Sequence, residues 1–186
     1  MSDYVNNMRS EFCTPILVHI FSHREVYVLS TLDSADRTRE SYLTAVYDGP
    51  AFSFGSKMGQ EEFMICMQSR FVQSDEVENL MKYAGNIVQE AQVKVTDDGV
   101  SQMATARTGV TSKVENVILP RIITLAPYRT FPEIEQPESA FVFRLHSNPI
   151  ACSLHEADGG VWKMEAVKRI KEWLTANLPE GTVIIS

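Results

Sequence analysis

Leu125–Leu145, LAPYRTFPEIEQPESAFVFRL, runs a proline-punctuated acidic loop straight into an alternating apolar strand. Pro127, Pro132 and Pro137 recur at a constant spacing. Each removes a backbone donor and pushes the residue before it towards an extended conformation. Tyr128, Arg129, Phe131, Glu133, Glu135 and Gln136 lie between them, a mixture too polar for a core and too aromatic for a plain linker. The segment is expected to be stiff, extended and contact-making. Beyond it Phe141, Phe143 and Leu145 alternate with Val142, Arg144 and His146, the period of a half-buried strand. Ser147-Asn148-Pro149 is a turn signal, and a second strand over 150–154 completes a predicted hairpin.

The same reading extends to both sides. Residues 16–21 and 26–31 read as strands around a polar turn, and 42–47 as a strand ending at Asp48-Gly49-Pro50. Phe52 and Phe54 suggest a short strand or an apolar loop. From Gln60 the period turns helical, with Phe63, Met64, Met67 and Phe71 on one face, widened by Ile65 and Cys66. Ser74 is a predicted N-cap for a second helix whose stripe is Val77, Leu80, Met81, Ala84 and Val88. Val93 and Val95 precede an Asp97-Asp98-Gly99 hairpin turn, and 101–107 form the returning strand. Apolar β-branched runs follow at 114–119 and 122–125, interrupted by Pro120. Residues 161–178 make the strongest helix, with Met164, Val167, Ile170, Leu174 and Leu178 on its face and Trp173 beside them. Pro179-Glu180-Gly181 stops it before a closing strand at 182–185. The expectation is one α+β domain over 1–186, with a mainly antiparallel sheet, about three helices and a flexible N-terminal segment 1–13.

Composition narrows the function. Hydrophobic residues at 44% and charged residues at 22% argue for a folded domain rather than global disorder. A net charge of -7 disfavours nonspecific binding to a nucleic-acid backbone. Cys13, Cys66 and Cys152 are odd in number and lack CxxC spacing, which suggests a reducing compartment. The sequence contains no long apolar run and no secretory-type start, so a cytoplasmic protein without a membrane is expected.

Several stretches together resemble the YfdQ-like family of phage and prophage proteins, a family of unknown function. The resemblance rests on Pro127-Tyr128-Arg129-Thr130-Phe131, Glu133, Glu135-Gln136-Pro137 and Phe141-Val142-Phe143-Arg144-Leu145. It continues through Glu156-Ala157-Asp158-Gly159-Gly160 and Trp162-Lys163, with weaker matches around Glu62-Phe63 and Gln68-Ser69. His155 departs from the phenylalanine usual in that family, and the N-terminal region is shorter than in many members. The resemblance implies a phage or prophage origin and expression in the cytoplasm of a bacterial host. It implies no catalytic residues.

Tyr128, Arg129, Phe131 and Arg144 are the leading ligand-binding candidates, because guanidinium and aromatic groups together stack a base and pair with phosphate or carboxylate. The plainer alternative has Phe131 anchoring the loop and both arginines paired with Glu133, Glu135 or Glu138. An oligomer interface is a third. Glu133, Glu135, Gln136 and Glu138 form a candidate interaction loop. His146, His155, Glu156 and Asp158 are weak metal candidates without a fixed ligand spacing, and Asp158 reads more simply as a helix cap. No metal or other cofactor is expected. No GxGxxG, P-loop or GxSxG pattern is present, so an enzyme is the weaker class.

The leading expectation is an accessory binding protein, acting as a homo-oligomer in counter-defence by sequestering a small anionic, nucleotide-like ligand. The alternatives are a protein-interaction module acting on host or phage replication or recombination, and a self-assembling shell protein. A metal-dependent hydrolase through His146 and His155 comes fourth.

Overall fold

The computed structural model describes residues 1–8, 10, 12, 15–86, 94–97, 102–108, 113–119, 121–147 and 149–186. Cys13, Val88, Val93, the Asp98-Gly99 turn, Ser101, Pro120 and Asn148, all used above, lie outside them. The chain is α+β and its sheets are mainly antiparallel. Its contacts gather in two compact units, Met1–Pro50 with Arg129–Pro137 and Val161–Ser186, and Ala51–Tyr128 with Glu138–Gly160.

In the first unit β1 (Ile16–Ser22), β2 (Glu25–Ser30) and β3 (Ser41–Val46) form an antiparallel meander. A strand not assigned to any partner from sequence, β10 (Val183–Ile185), pairs parallel to β1, with Val18 opposite Ile184. Alternation sends Val18, Ile20, Val26 and Val28 to one face. There they meet Ile170 and Leu174 of α4 (Trp162–Asn177), its C-cap Leu178, and Ile134 from the proline-rich loop. A short helix, α1 (Ser2–Asn7), adds Val5 to this cluster, where the sequence suggested only a loose leader. The outer sheet face carries Phe21, His19 and Tyr27, whose rings lie about 6 Å from one another.

The stripe of α4 differs from the one read off the sequence. Its buried row is Trp162, Ala166, Ile170 and Leu174, a strict i,i+4 series, while Met164 is 77% exposed. Trp162 decides the rotation: burying that indole turns Met164 outward on a helix with a 100° step per residue.

In the second unit α2 (Gln60–Arg70) and α3 (Asp75–Asn86) cover the sheet of β7 (Ile123–Leu125), β8 (Ser139–Ser147) and β9 (Ile150–Glu156). Phe63, Cys66 and Met67 are buried, but Ile65 is 56% exposed and does not widen the face. Ser74 caps α3 as expected, its hydroxyl accepting from the Val77 N–H at 3.3 Å. Phe52 and Phe54 lie in a loop, with Phe54 stacked on Phe141 at 5.2 Å. The strands β4 (Lys94–Asp97), β5 (Gln102–Thr108) and β6 (Lys113–Leu119) make a separate antiparallel sheet, with Asp97 opposite Gln102.

The α4 geometry makes a direct prediction. Ile170→Ala should lower unfolding free energy by about 2–4 kcal/mol, as for other buried Ile truncations. Met164→Gln should stay within about 0.5 kcal/mol of the parent. Urea unfolding of both variants checks the rotation, and a reversed order of effects would refute it.

Candidate functional site

The segment 129–137 is a folded loop held by one side chain. Gln136 is buried, and its carboxamide oxygen accepts from the backbone N–H groups of Arg129 at 3.1 Å and Thr130 at 3.3 Å. Its nitrogen donates to the carbonyls of Phe131 at 3.0 Å, Ile134 at 3.3 Å and Thr130 at 3.5 Å. Backbone groups that proline geometry keeps out of any sheet ladder are thereby satisfied internally. The loop is tied to its surroundings at three places. The Thr130 hydroxyl donates to the His23 carbonyl at 2.5 Å. Ile134 enters the core beside Ile170. Arg169 donates to the Glu135 and Gln136 carbonyls at 3.1 and 3.4 Å, while its Nε binds Glu165 at 2.9 Å.

The four leading ligand candidates fall in different surroundings. Arg129 is only 9% exposed, and its guanidinium lies 3.7 Å above the Trp162 ring. His23 meets the same indole edge-on at 4.6 Å. Phe131, two residues on, faces Tyr47 at 6.4 Å instead. Both belong to the first unit, whereas Tyr128 and Arg144 belong to the second. Tyr128 is 40% exposed, and its N–H donates to the Arg70 carbonyl at 2.9 Å. Arg144 is half-buried on β8, opposite Ser153. Of the interaction-loop candidates, Glu133, Glu135 and Glu138 are exposed, and Glu135 pairs with Arg169 at 3.4 Å. Gln136 serves the loop's interior.

The weak metal candidates make a different arrangement. Register places His146 opposite Ala151 and His155 opposite Val142, so the imidazoles are diagonal rather than paired. Between them the buried Ser153 hydroxyl lies 3.0 Å from Nε2 of each. Among the described residues no three His, Cys, Asp or Glu converge on a metal position. Asp158 does not cap α4: its carboxylate accepts from the Gly160 N–H at 3.0 Å, one turn too early, in a loop where Gly159 and Gly160 both have positive φ. Cys66 and Cys152 are buried free thiols, and burial pushes the Cys152 thiol up to about 12, far from a nucleophile's range.

A cavity of about 720 Å³ in the first unit brings together residues that no linear pattern connects. Tyr47, Phe131 and Trp173 form an aromatic wall, and Val26, Ile134, Ile170 and Leu174 form an apolar floor. Its charged side chains are Asp3, Asp48 and Glu133, with no lysine or arginine, and the Met1 ammonium lines it as well. Tyr47 is tied to Arg24: its carbonyl accepts from that side chain at 3.2 Å, and the guanidinium lies 5.5 Å from the ring centroid. A Cβ at Gly49 would collide with the Tyr47 phenol, so a larger residue there would have to displace that ring. Of its lining, the sequence singles out Phe131 and Glu133 in the proline-rich loop, but gives Tyr47 only as a strand end before Asp-Gly and Trp173 only as a residue flanking a helix stripe. The charges come from three separate segments.

Comparison of the chain with family models, curated proteins and solved structures returns no match.

Two outcomes follow from the loop. Gln136→Ala strands buried N–H and C=O groups and should cost about 3 kcal/mol in urea unfolding, more than a surface substitution could. Glu133→Gln in the same loop should be neutral. The second outcome concerns His23, whose pKa lies below the ordinary 6.5 because of burial first, then Lys163, Arg24 and Arg129. Its neutral form is favoured in the folded state, so the stability it contributes is present above 6.5 and is lost as pH falls through the lowered value. His146 is lowered in the same direction, again mainly by burial. Stability should therefore decline from about pH 7 to pH 5, and His23→Phe should flatten part of that decline. An unchanged slope in the variant would show that His23 does not titrate as described.

Proposed function

We propose that the chain is a binding protein without catalysis of its own, an interaction module that presents a pre-shaped acidic loop to a basic protein segment. The observation that carries this reading is the Gln136 carboxamide, which holds Glu133 and Glu135 outward on a loop already folded before any partner arrives. Preorganisation of this kind removes an ordering cost that a flexible acidic tail would incur on binding. An overall charge of -7 adds long-range attraction for a basic partner.

Sequestration of a small anionic ligand is less well supported. Its central cation, Arg129, is buried against Trp162, and the cavity nearest Phe131 is lined by carboxylates. The resemblance to YfdQ-like phage proteins supplies the proposed setting, the cytoplasm of a bacterial host, and replication or recombination proteins as the proposed class of target.

Affinity capture from bacterial cells, with wild-type and Glu133→Lys baits compared quantitatively, tests the module. Specific partners should fall by at least about tenfold with the variant, and should weaken as salt shortens the Debye length from about 10 to 3 Å. Equal recovery on both baits would overturn the reading. Native mass spectrometry of the same preparation showing bound nucleotide would return the sequestration hypothesis to first place.

A further inference from the structure

We infer that the cavity walled by Tyr47, Phe131 and Trp173 is a socket for one cationic side chain, an arginine or lysine of the bound segment. This inference rests on the interaction-module reading and names the chemistry of its recognition. Three independent features of the cavity converge on that occupant.

The first is the wall. Three aromatic rings from three separate segments, the residue after β3, the proline-rich loop and α4, line one space. Ring faces carry negative potential and attract ammonium or guanidinium groups, more strongly where water is displaced. The molecule already places cations of its own over such rings: Arg24 over Tyr47, and Arg129 and Lys163 over Trp162. The second is the charge. Asp3, Asp48 and Glu133 line the same space against one ammonium, that of Met1, so an incoming cation meets a net acidic lining. An anion entering here would meet three carboxylates for one ammonium. The third is the floor. Val26, Ile134, Ile170 and Leu174 offer apolar contact to the methylene stem that carries the charge of arginine or lysine. At about 720 Å³ the cavity exceeds one side chain, leaving room for flanking backbone of the same segment.

The rigidity of the wall supports the assignment. Phe131 is held by the carboxamide of Gln136 through its carbonyl, and Tyr47 by both of its backbone hydrogen bonds to Arg24. Trp173 sits on a helix locked to the loop by Arg169. The rings need little reorganisation to receive a cation.

The test uses N-acetyl-arginine amide, N-acetyl-norleucine amide of similar stem length, and AMP, each titrated against the intact protein while the two indole N–H resonances are followed. The arginine amide should shift Trp173 and leave Trp162 unmoved. The norleucine amide should bind at least about tenfold more weakly, and Asp48→Asn with Glu133→Gln should weaken the arginine amide about tenfold. Both substitutions are at exposed positions, so the folded protein is retained for the comparison. Equal binding of the norleucine amide, a Trp173 shift with AMP, or an unmoved Trp173 at saturating arginine amide would each overturn the socket. If Trp173 stays unmoved while Glu133→Lys still abolishes partner capture, the socket fails and the module stands. If Trp173 responds but capture ignores Glu133, the socket stands and the module fails.

Discussion

The Gln136 carboxamide is the constraint on which the first unit depends. Proline at positions 127, 132 and 137 denies the segment any regular ladder, so its amides and carbonyls need partners from elsewhere. One side chain supplies them, gathering two N–H groups and three carbonyls around a single buried group. Without that knot Ile134 would have no fixed route into the core, and Arg169 no carbonyls to hold. A carboxamide is suited to this because it donates and accepts at once; a carboxylate could serve only the N–H side.

The Arg129–Trp162 stack is the second organising contact, and it explains two features together. It gives a buried guanidinium an electrostatic partner with little hydration to lose, and it fixes the rotational setting of α4. His23 closes the stack from the other edge, and the Thr130 hydroxyl ties the loop to the same turn of chain. A sequence motif that invited a ligand-binding interpretation therefore contributes an internal brace, while recognition chemistry gathers around Tyr47, Phe131 and Trp173.

The α+β class, the β1–β2 and β8–β9 hairpins and the three longer helices were legible because each depends on local periodicity and turn residues, as at Ser74 and around Phe141 to Leu145. The parallel pairing of β10 with β1 was not legible, since it joins residues far apart in sequence through nothing but backbone. Met164 was misassigned for a related reason: periodicity gives a helix a stripe, but a long-range contact at Trp162 decided which edge of that stripe is buried. Among the site residues, Phe131 and Glu133 were visible in the loop. Tyr47, Asp48 and Trp173 were not singled out, because tertiary structure alone makes them neighbours.

The division of the chain also orders its synthesis. The β1–β2 hairpin is made early, with Val18, Ile20, Val26 and Val28 on the face destined for the core, but Ile170 and Leu174 are made some 140 residues later. The continuous stretch 51–160 holds every residue of the second unit and emerges in between, along with the loop that donates Ile134. On a ribosome the second unit can therefore finish folding while the first is still a half-covered sheet. During that interval the apolar face of the hairpin is open to chaperones and to like sheets on neighbouring nascent chains. Slower translation across residues 30–170 lengthens that interval and with it the opportunity for misassembly.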